Sequence, residues 1–436
     1  VTPPELRPWD KISQIDAGHF DADTAYVAVN AIRRDDMRPH IWRTHDGGAT
    51  WERIVHGLPE MGPVNVVRED PKQPWLLYAG TERSIYFSTE DGREWHPLRL
   101  NLPPSSMRDL VIHPADGEDD LVVGTHGRSI WILDNIAPLR ELAKASQSTE
   151  PYLFTPPLAT RVRWNMFSDT PLPPEEPAGE NPPDGAILDY LLPRDAQQVR
   201  LEILDAGGNA VRQFDASDPL EAVDPTTLPH PTYWIRHQET LGVDAGHHRF
   251  AWDLRHEPPQ GARRQFSIAA VHGQTPSGPH GPFVAPGTYT VRLTVDGTVA
   301  ERPLEVRLDP RVEIDAADLA LQTDLSMRVY RGYQHLQKIR QAIDQAIEGT
   351  PAGSERAELL AALRGNRAPG DPDIVYGSIY RAEPGKETIT GLQHKLLFLL
   401  NVLQAADARP TSQAQGAVTE LEQTVDAVTE RWRAIG

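Results

Sequence analysis

Short runs of alternating apolar and polar residues fill the first third of the chain, and this alternation predicts half-buried β-strands. Three stretches each contain a strand, a turn and a second strand: ISQIDAGHFDADTAYVAV (12–29), VNVVREDPKQPWLLYAG (64–80) and MRDLVIHPADGEDDLVVG (107–124). A third strand follows each, as HIWRT (40–44), SIYFST (84–89) and SIWILD (129–134). In the first two copies a turn and a fourth strand, WERIV or WHPLRL, complete the unit. Four antiparallel strands per period of about 40–45 residues are typical of β-propeller blades, so residues 1–140 predict about three blades.

The turn between the third and fourth strands recurs after forty-four residues, as RTHDGGATW (43–51) and FSTEDGREW (87–95). Each copy has, in order, a hydroxyl residue, an acid, a glycine and a tryptophan; the two sets are Thr44, Asp46, Gly48, Trp51 and Ser88, Glu90, Gly92, Trp95. The acid can accept hydrogen bonds from turn amides, the glycine supplies a positive φ, and the tryptophan is a large apolar plug. We expect a structural role for these residues. The third copy lacks the acidic turn.

These residues resemble the Asp-box, or BNR-repeat, β-propellers, which include sortilin-type receptors, sialidases and xyloglucanases. Thr44, Asp46, Gly48 and Trp51 fit the pattern Ser/Thr-x-Asp-x-Gly-x-x-Trp, whereas Glu90 replaces the aspartate in the second copy. The phrases LLYAGTERSIYFS, LVVGTHGRSIWILDN and ADARPTSQAQ resemble large bacterial exported proteins of the sortilin-like class, often labelled glycosyl hydrolase. The resemblance implies that Asp46 lies away from the ligand face and is not a catalyst. It also implies a secreted or periplasmic protein.

Loops that join strands two to three and four to one should emerge opposite the acidic turns, on the face where propellers usually bind ligands. The basic residues of these loops are the expected ligand-face residues: Arg33, Arg34, Arg38, Arg83, His126 and Arg128. The alternative is that the arginines pair with neighbouring acids and brace the loops. Hydrolysis of a glycan would need two carboxylates that flank the scissile bond. The candidate catalytic acids are Asp35, Asp36 and Glu82; a sialidase is disfavoured because its Arg-Ile-Pro signature is absent.

Residues 141–185 are predicted to be a linker. A short helical segment, PLRELAKAS, leads into it, and TPLPPEEPAGENPPDG (170–185) is rich in proline and acid with little to bury. Strands return at 186–310, in AILDYLLP, VRLEILDAGGNAVRQF, HHRFAWDLRH and TYTVRLTVDGTVAERPLEVRLDP. This spacing predicts an antiparallel β-sandwich. The pieces resemble the immunoglobulin- or fibronectin-like modules of bacterial exported proteins.

Residues 311–436 change to helical spacing of apolar residues. Asp315 and Asp318 are candidate caps of a long helix, LALQTDLSMRVYRGYQHLQKIRQAIDQAI. Three more helices are predicted in SERAELLAALRG, TITGLQHKLLFLLNVLQAADA and TSQAQGAVTELEQTVDAVTERWRAI. We expect an antiparallel helical bundle.

Candidate metal ligands are few, and we predict no cofactor and no metal. His247 and His248 adjoin, but neighbouring strand residues point to opposite faces and do not easily share one ion. Asp371 and Asp373 in GDPDIVYG could bind calcium, although we expect them to be solvated. The segment 265–287, which includes His280, is expected to be a long loop.

Composition excludes several classes of function. The formal net charge of -19 over 436 residues argues against nucleic acid as the main partner, which would need a basic surface. No apolar run reaches eighteen residues, so no transmembrane segment is predicted. The absence of cysteine removes disulfides, thiolate chemistry and cysteine-ligated zinc.

The predicted fold class is mainly β with an α-helical C-terminus, and two functions stay open. The first is an extracytoplasmic binding or scaffold module for a protein or glycan ligand. The second is a glycoside hydrolase that uses a carboxylate pair on the propeller face. Propellers close with about 4–8 blades, more than residues 1–140 supply. We therefore expect a longer protein, with the missing blades in a preceding segment, a cleaved companion chain or a partner subunit.

Overall fold

A computed structural model of the chain shows a mainly β protein with a helical carboxyl-terminal region, as the sequence predicts. It describes residues 2–114, 119–163, 179, 182–220, 223–228, 231–262, 265–266, 277–365 and 387–435. The chain divides into two compact units. The first unit comprises Val1–Leu158, Ile187–Ala196 and Asp244–Arg249. The second comprises Ala159–Ala186, Gln197–Val243 and Phe250–Gly436.

The amino-terminal strands form three antiparallel sheets whose members follow chain order. The first sheet contains β1 (Lys11–Ala17), β2 (Ala25–Asn30), β3 (His40–Thr44) and β4 (Glu52–Arg53). The second contains β5 (Val64–Glu69), β6 (Leu77–Thr81), β7 (Ile85–Ser88) and β8 (His96–Pro97). The third contains β9 (Met107–Pro114), β10 (Asp119–Thr125) and β11 (Ile130–Leu133). The strands coincide with the alternating segments of the sequence, and the copy without an acidic turn forms the three-stranded sheet.

The first and second sheets share one hydrophobic core. Tyr26 and Ile41 of the first sheet pack with Val67 and Leu77 of the second, and Trp95 closes the cluster. Each of these side chains is at most 1% exposed. Burial of a side chain of this size contributes about 1.5–3 kcal/mol, so this core holds the two sheets together.

The second and third sheets share another core, formed by the opposite face of the second sheet. Tyr78 and Phe87 pack there with Leu110, Leu121 and Val123. Because side chains alternate along a strand, one sheet can supply both cores. The second sheet is therefore covered on both faces.

Helix α1 (Ala137–Ala145) follows the third sheet. Ile136, at its amino-terminal end, is fully buried, and Leu139 and Leu142 pack against the core between the second and third sheets. The apolar spacing of PLRELAKAS thus corresponds to one buried helix face.

Ten further strands follow α1 in the ranges that the structure describes, and two of them lie inside the predicted linker. A three-stranded sheet contains β12 (Tyr152–Leu153), β14 (Ala186–Leu192) and β17 (Gly246–Trp252). A five-stranded sheet has the order β13 (Ala159–Arg161), β21 (Thr298–Leu308), β20 (Gly287–Val295), β15 (Val199–Leu204) and β16 (Ala210–Asp215). A two-stranded sheet pairs β18 (Gln265–Phe266) with β19 (Ser277–Gly278). The two strands in the linker, β12 and β13, were not predicted because such short segments cannot show alternation.

The five-stranded sheet is not purely antiparallel. β13 pairs with β21 in parallel, whereas the other pairs for which the register is described are antiparallel. Asp296 and Gly297 have φ of 47° and 88° in the hairpin between β20 and β21. Positive φ at both central residues is the geometry of a type I′ turn, as expected for Asp-Gly. The β-sandwich itself stays a prediction.

The described residues at the end of the chain include four helices: α2 (Ala316–Glu348), α3 (Glu355–Arg364), α4 (Ile389–Gln404) and α5 (Ser412–Ile435). Asp315 caps α2 by accepting a hydrogen bond from the Ala317 amide, and Ser354 caps α3 from Ala357. All four helices contribute to one hydrophobic core, with Leu336, Leu360, Leu396 and Val418 among its members. In the described part of the chain, no helix is both long and apolar enough to cross a membrane.

Candidate functional site

The loops that follow the second strand of each amino-terminal sheet are linked by hydrogen bonds at one edge of the sheets. Asn30, which ends β2, donates from Nδ2 to Oδ1 of Asn65 at 2.9 Å. Asn65 donates in turn to Oε1 of Glu82 at 3.1 Å and to Oγ of Ser106 at 3.3 Å. The amide of His126 donates to the main-chain oxygen of Ser106 at 2.8 Å. The structure thus brings the three predicted ligand-face loops to the same edge.

The first of these loops contains a 3-10 turn, and its charged residues are largely paired. Arg34 forms an ion pair of 2.8 Å with Asp10. Arg38 donates to both carboxylate oxygens of Asp36, at 2.9 and 2.7 Å, and His40 lies 3.3 Å from the same carboxylate. The hydrogen bonds from Arg38 hold the pKa of Asp36 well below its ordinary value. Asp36 is therefore a stable anion, which is unsuited to the role of general acid.

Glu82 is the acid of the second loop, and it too has partners. Asn65 donates to it, and Arg108 lies 3.3 Å from its Oε1. Among the described residues, no hydrogen bond or ion pair joins Glu82 to Asp36. Asp35 is exposed, and its backbone is in the left-handed region with φ of 59°.

The remaining basic residues of the three loops are exposed: Arg33, Arg83, His126 and Arg128. In the ranges that the structure describes, none of their side chains forms an ion pair or hydrogen bond. We call these four residues the basic edge. Asp36 and Glu82 are paired with other residues, and only Asp35 is an exposed acid of these loops without a partner among the described residues, so the basic edge presents net positive charge to solvent.

The first acidic turn lies at the other end of β3 from these loops. Thr44 Oγ1 donates to Oδ1 of Asp46 at 2.8 Å and accepts from the amide of Gly48 at 2.9 Å. The amide and hydroxyl of Thr50 donate to the two oxygens of Asp46, at 2.8 and 2.6 Å. Gly48 has φ of 85°, which favours glycine. Trp51 packs, half-buried, on the outer face of the first sheet. All these contacts are within or beside the turn, where they stabilise its backbone.

In the second turn the hydroxyl residue, and not the acid, accepts the hydrogen bonds. Ser88 Oγ accepts from the amides of Gly92 at 3.0 Å and Glu90 at 3.3 Å. Gly92 has φ of 79°, and a Cβ there would lie 2.4 Å from Ile54. Trp95 is 1% exposed and donates from Nε1 to the main-chain oxygen of Ile54 at 3.0 Å. In the described part of the chain, the Glu90 carboxylate accepts no hydrogen bond.

A polar cluster that the sequence patterns did not reveal surrounds Asp91, the residue after Glu90 in the second turn. Tyr26 donates to its Oδ1 at 2.7 Å, and NH1 of Arg43 lies 2.6 Å from its Oδ2. Nε2 of His45 lies 2.9 Å from Oδ2, and Nδ1 of His45 lies 2.8 Å from Oγ1 of Thr24. These partners are distant in sequence and come from the first sheet. The cluster therefore joins the first sheet to the second.

Glu69 lies beside this cluster, and burial raises its pKa. It is 3% exposed and accepts a hydrogen bond of 2.7 Å from the amide of His19. Burial also raises the pKa of Tyr26, which is 0% exposed. Perturbed groups of this kind often mark active sites. Here, however, the phenol and the protonatable carboxyl are closed to solvent, so the cluster serves as a contact between sheets.

The adjacent histidines of β17 have separate partners. Nε2 of His247 lies 2.9 Å from Oδ1 of Asp189, whereas Nε2 of His248 lies 2.6 Å from the main-chain oxygen of Asp244. No group of three or more His, Asp or Glu side chains with metal-binding geometry occurs among the described residues. The candidate calcium residues 371 and 373 lie outside the described residues.

Comparisons with known proteins give weak likenesses. No known family profile and no curated protein matches the sequence. A GH74 xyloglucanase from Xanthomonas campestris is 13% identical over 69% of this chain and 56% of its own, with a TM-score of 0.26. YCF48 bound to D1 peptide is 16% identical over 28% of this chain and 40% of its own, with a TM-score of 0.20. An ancestral GH74 enzyme is 9% identical over 67% of this chain and 35% of its own, with a TM-score of 0.22. The chain spans about half of the xyloglucanase and less of the other two, and none of these likenesses assigns it an activity.

Proposed function

We propose that this chain belongs to an extracytoplasmic Asp-box propeller protein and acts as a binding or scaffold module for a protein or glycan ligand. The observation that carries the proposal is the basic edge. Arg33, Arg83, His126 and Arg128 belong to loops that hydrogen bonds bring together, and they are exposed without an ion-pair partner among the described residues. An exposed set of this kind is available to a ligand.

The chemistry of the basic edge favours an acidic ligand. Guanidinium groups match carboxylates with two parallel hydrogen bonds, and three of the four residues are arginines. The chain as a whole carries a formal charge of -19, so this edge is a local exception to its acidic surface. Such a contrast directs an acidic ligand to one edge of the sheets.

Additional blades are part of the proposal, and the third sheet supports them. Its inner face packs on the second sheet, whereas Val111, Val122 and Ile132 form one cross-strand row on the opposite face. Val111 and Ile132 are 48% and 57% exposed, and Ile130 on the same face is 69% exposed. A contiguous apolar row on a sheet face is a typical docking surface for another sheet. The blades would come from a preceding segment, a companion chain or a partner subunit.

Glycoside hydrolysis, the alternative, has less support. It requires an acid and a second carboxylate on opposite sides of one bond. Arg38 holds Asp36 as an anion, and Glu82 is engaged by Asn65 and Arg108. Of the three candidate acids, Asp36 is therefore a poor proton donor, and Glu82 already has two partners.

Binding to two acidic probes tests the proposal. Polygalacturonate represents an acidic glycan, polyglutamate an acidic polypeptide, and xyloglucan is the neutral comparison. We expect the full chain to bind one acidic probe, with affinity that falls as salt rises. The triple variant Arg33→Glu, Arg83→Glu, Arg128→Glu should lower that affinity by at least about tenfold.

The matched control is Arg93→Glu. Arg93 is also exposed, but it lies in the second acidic turn, at the other end of β7. The proposal of a localised site would be contradicted if Arg93→Glu lowered the affinity as much as a single Arg→Glu substitution on the basic edge. Absence of binding to both acidic probes would also contradict it. Release of new reducing ends from a polysaccharide, lost in Asp36→Asn or Glu82→Gln, would favour the hydrolase instead.

A further inference from the structure

Two arginines at the end of β13 share one carboxylate in the second unit. Arg161 is the last residue of β13, and Arg163 follows two residues later. Their NH2 groups lie 2.5 and 2.9 Å from the same oxygen, Oδ1 of Asp407. NH1 of Arg161 donates to the main-chain oxygen of Val284 at 2.6 Å, and NH1 of Arg163 donates to that of Gln404. Both guanidinium groups are therefore fixed in orientation.

A third arginine reaches the same place from another part of the chain. Arg255 forms an isolated antiparallel bridge with Phe283, and its guanidinium carbon lies 3.5 Å from the centre of the Phe283 ring. The guanidinium carbons of Arg163 and Arg161 lie 4.7 and 5.6 Å from the same centre. NH1 of Arg255 donates to the main-chain oxygen of Gly281 at 3.0 Å. Three cations thus surround one aromatic ring, which each of them contacts favourably.

The described residues do not balance these charges. Asp407 is the carboxylate paired with Arg161 and Arg163. Asp253 offsets part of the charge of Arg255, and so does Asp184, which is itself paired with Arg236. At least one positive charge is left over among the described residues. Arg161 is 2% exposed, and burial of an uncompensated charge is unfavourable.

Hydrogen-bond donors in the cluster are also left over. In the part of the chain that the structure describes, the Nε atoms of Arg161 and Arg163 are buried and have no partner. A buried N–H without an acceptor is destabilising, and more so when it belongs to a charged group. Arg163 is 15% exposed and Arg255 is partly exposed, so part of each of these two residues is in contact with solvent.

We propose that Arg161, Arg163 and Arg255 bind a tetrahedral oxyanion, either phosphate or sulfate, free or as a monoester. The oxygens of the anion would accept hydrogen bonds from the unpartnered Nε groups of Arg161 and Arg163 and from the guanidinium N–H groups of Arg255. Its negative charge would balance the positive charge that the described residues leave unpaired. The three guanidinium groups converge on the Phe283 ring from several directions, and a tetrahedral oxyanion can accept hydrogen bonds from several directions. The planar carboxylate of Asp407 already accepts hydrogen bonds from two of these groups.

The electrostatics of Arg255 are consistent with this site. Burial, together with the charges of Arg163 and Arg161, lowers the pKa of Arg255 to about 10. The guanidinium is still charged at neutral pH, but its charged form is disfavoured by its surroundings. An oxyanion beside it would reverse that effect.

Calorimetric titration of the full chain with inorganic phosphate, sulfate, acetate and chloride at constant ionic strength tests the site. We expect saturable binding of phosphate or sulfate, with a rise in Tm at saturation. Arg255→Met should weaken binding by at least about tenfold. Arg255→Lys keeps the charge but loses the fork, so it should weaken binding by a smaller factor.

Arg292→Met is the matched control. Arg292 lies on β20 of the same unit, where it pairs with Glu301 at the surface, 2.6 Å away, and its loss should leave binding unchanged. Circular dichroism checks that each variant folds, and Arg255→Lys carries the test if Arg255→Met does not fold. The proposal is overturned if the folded wild-type chain shows no saturable binding of phosphate or sulfate, or if acetate or chloride gives the same response. Unweakened binding in the folded Arg255 variants also overturns it.

Discussion

The Nε atom of Arg140 lies 3.0 Å from both carboxylate oxygens of Asp70. NH1 of the same arginine lies 2.5 Å from Oδ2 of Asp119, and the Tyr78 hydroxyl donates to Asp70 at 3.3 Å. Asp70 is 0% exposed and Asp119 is 3% exposed. Arg140 is on α1, Asp70 follows β5 in the second sheet, and Asp119 begins β10 in the third. One guanidinium therefore joins a helix to two sheets.

Removal of this guanidinium should be strongly destabilising. We expect Arg140→Met to lower the free energy of unfolding by about 3–5 kcal/mol, because it leaves Asp70 as a buried charge without its ion-pair partner. Urea unfolding followed by tryptophan fluorescence measures the change. The double variant Arg140→Met, Asp70→Asn should lose less than the sum of the two single losses. A loss below about 1 kcal/mol in Arg140→Met would show that the pair is weak.

Acid stability should depend on the first turn. Hydrogen bonds from the hydroxyl and amide of Thr50 lower the pKa of Asp46 from 3.8 to about 2. A carboxyl with a depressed folded pKa stabilises the fold above its unfolded pKa and loses that effect as pH falls toward the folded value. We therefore expect the Tm of Asp46→Asn to fall less than that of the wild type between pH 4 and pH 2, since the substitution removes the titrating group.

Glu90→Gln is the control for this prediction, since Glu90 occupies the equivalent position in the second turn. The described contacts show no hydrogen bond to its carboxylate, while Ser88 holds the Gly92 amide without it. We expect the wild-type acid response in Glu90→Gln. The same change in both variants would show that the Asp46 hydrogen bonds have no special effect.

The order of strands and helices was predictable because it depends on local periodicity. Alternation predicted β1 to β11, and the caps at Asp315 and Ser354 agree with helix starts in the sequence. The parallel pairing of β13 with β21 could not be predicted, since it joins segments 147 residues apart at Thr160 and Arg307. No local pattern encodes such a partner.

The candidate site shows the same limit. The repeat predicts that loops after the second strands share an edge, and Asn65 has hydrogen bonds to Asn30, Glu82 and Ser106 near the ends of three of these strands. The pairing of Arg34 with Asp10, and of Glu82 with Arg108, depends on side-chain reach between loops. For this reason the sequence could name the charged residues of the loops but could not separate the neutralised ones from the exposed ones.

His256 should make the second unit sensitive to mild acid. Burial, and then the charges of Arg331 and Arg212, lower its pKa from 6.5 to about 4. The folded protein binds this proton more weakly than the unfolded chain. The neutral His256 ring therefore contributes fully to the free energy of unfolding above pH 6.5. This contribution, on the order of 3 kcal/mol, is lost as pH falls toward 4.

Comparison of His256→Gln with the wild type isolates this effect. We expect the difference in free energy of unfolding between the two proteins to shrink as pH falls from 7 to 4, because the variant lacks the titrating ring. His113→Gln, an exposed change on β9, should follow the wild type. Chemical denaturation at several pH values measures both. A constant difference across this range would contradict a depressed pKa at His256.

The exposed apolar row of the third sheet should drive association when no further blade covers it. Ile132 is 57% exposed on the edge strand β11, next to Val122 and opposite the face that packs on the second sheet. Sheet faces of this kind associate because burial of apolar area is favourable by about 25 cal/mol per Å². We expect the wild-type chain to show concentration-dependent association in sedimentation velocity experiments.

A lysine in that row should abolish the association without unfolding the sheet. Ile132→Lys places the ammonium in solvent, so the free energy of unfolding should change by less than about 0.5 kcal/mol. Leu359→Lys is the matched control, because Leu359 is 48% exposed on α3 and lies outside the row. Association that survives Ile132→Lys, or that Leu359→Lys lowers as much, would exclude the row as the docking face. Loss in Ile132→Lys alone would identify the surface that a further blade has to cover.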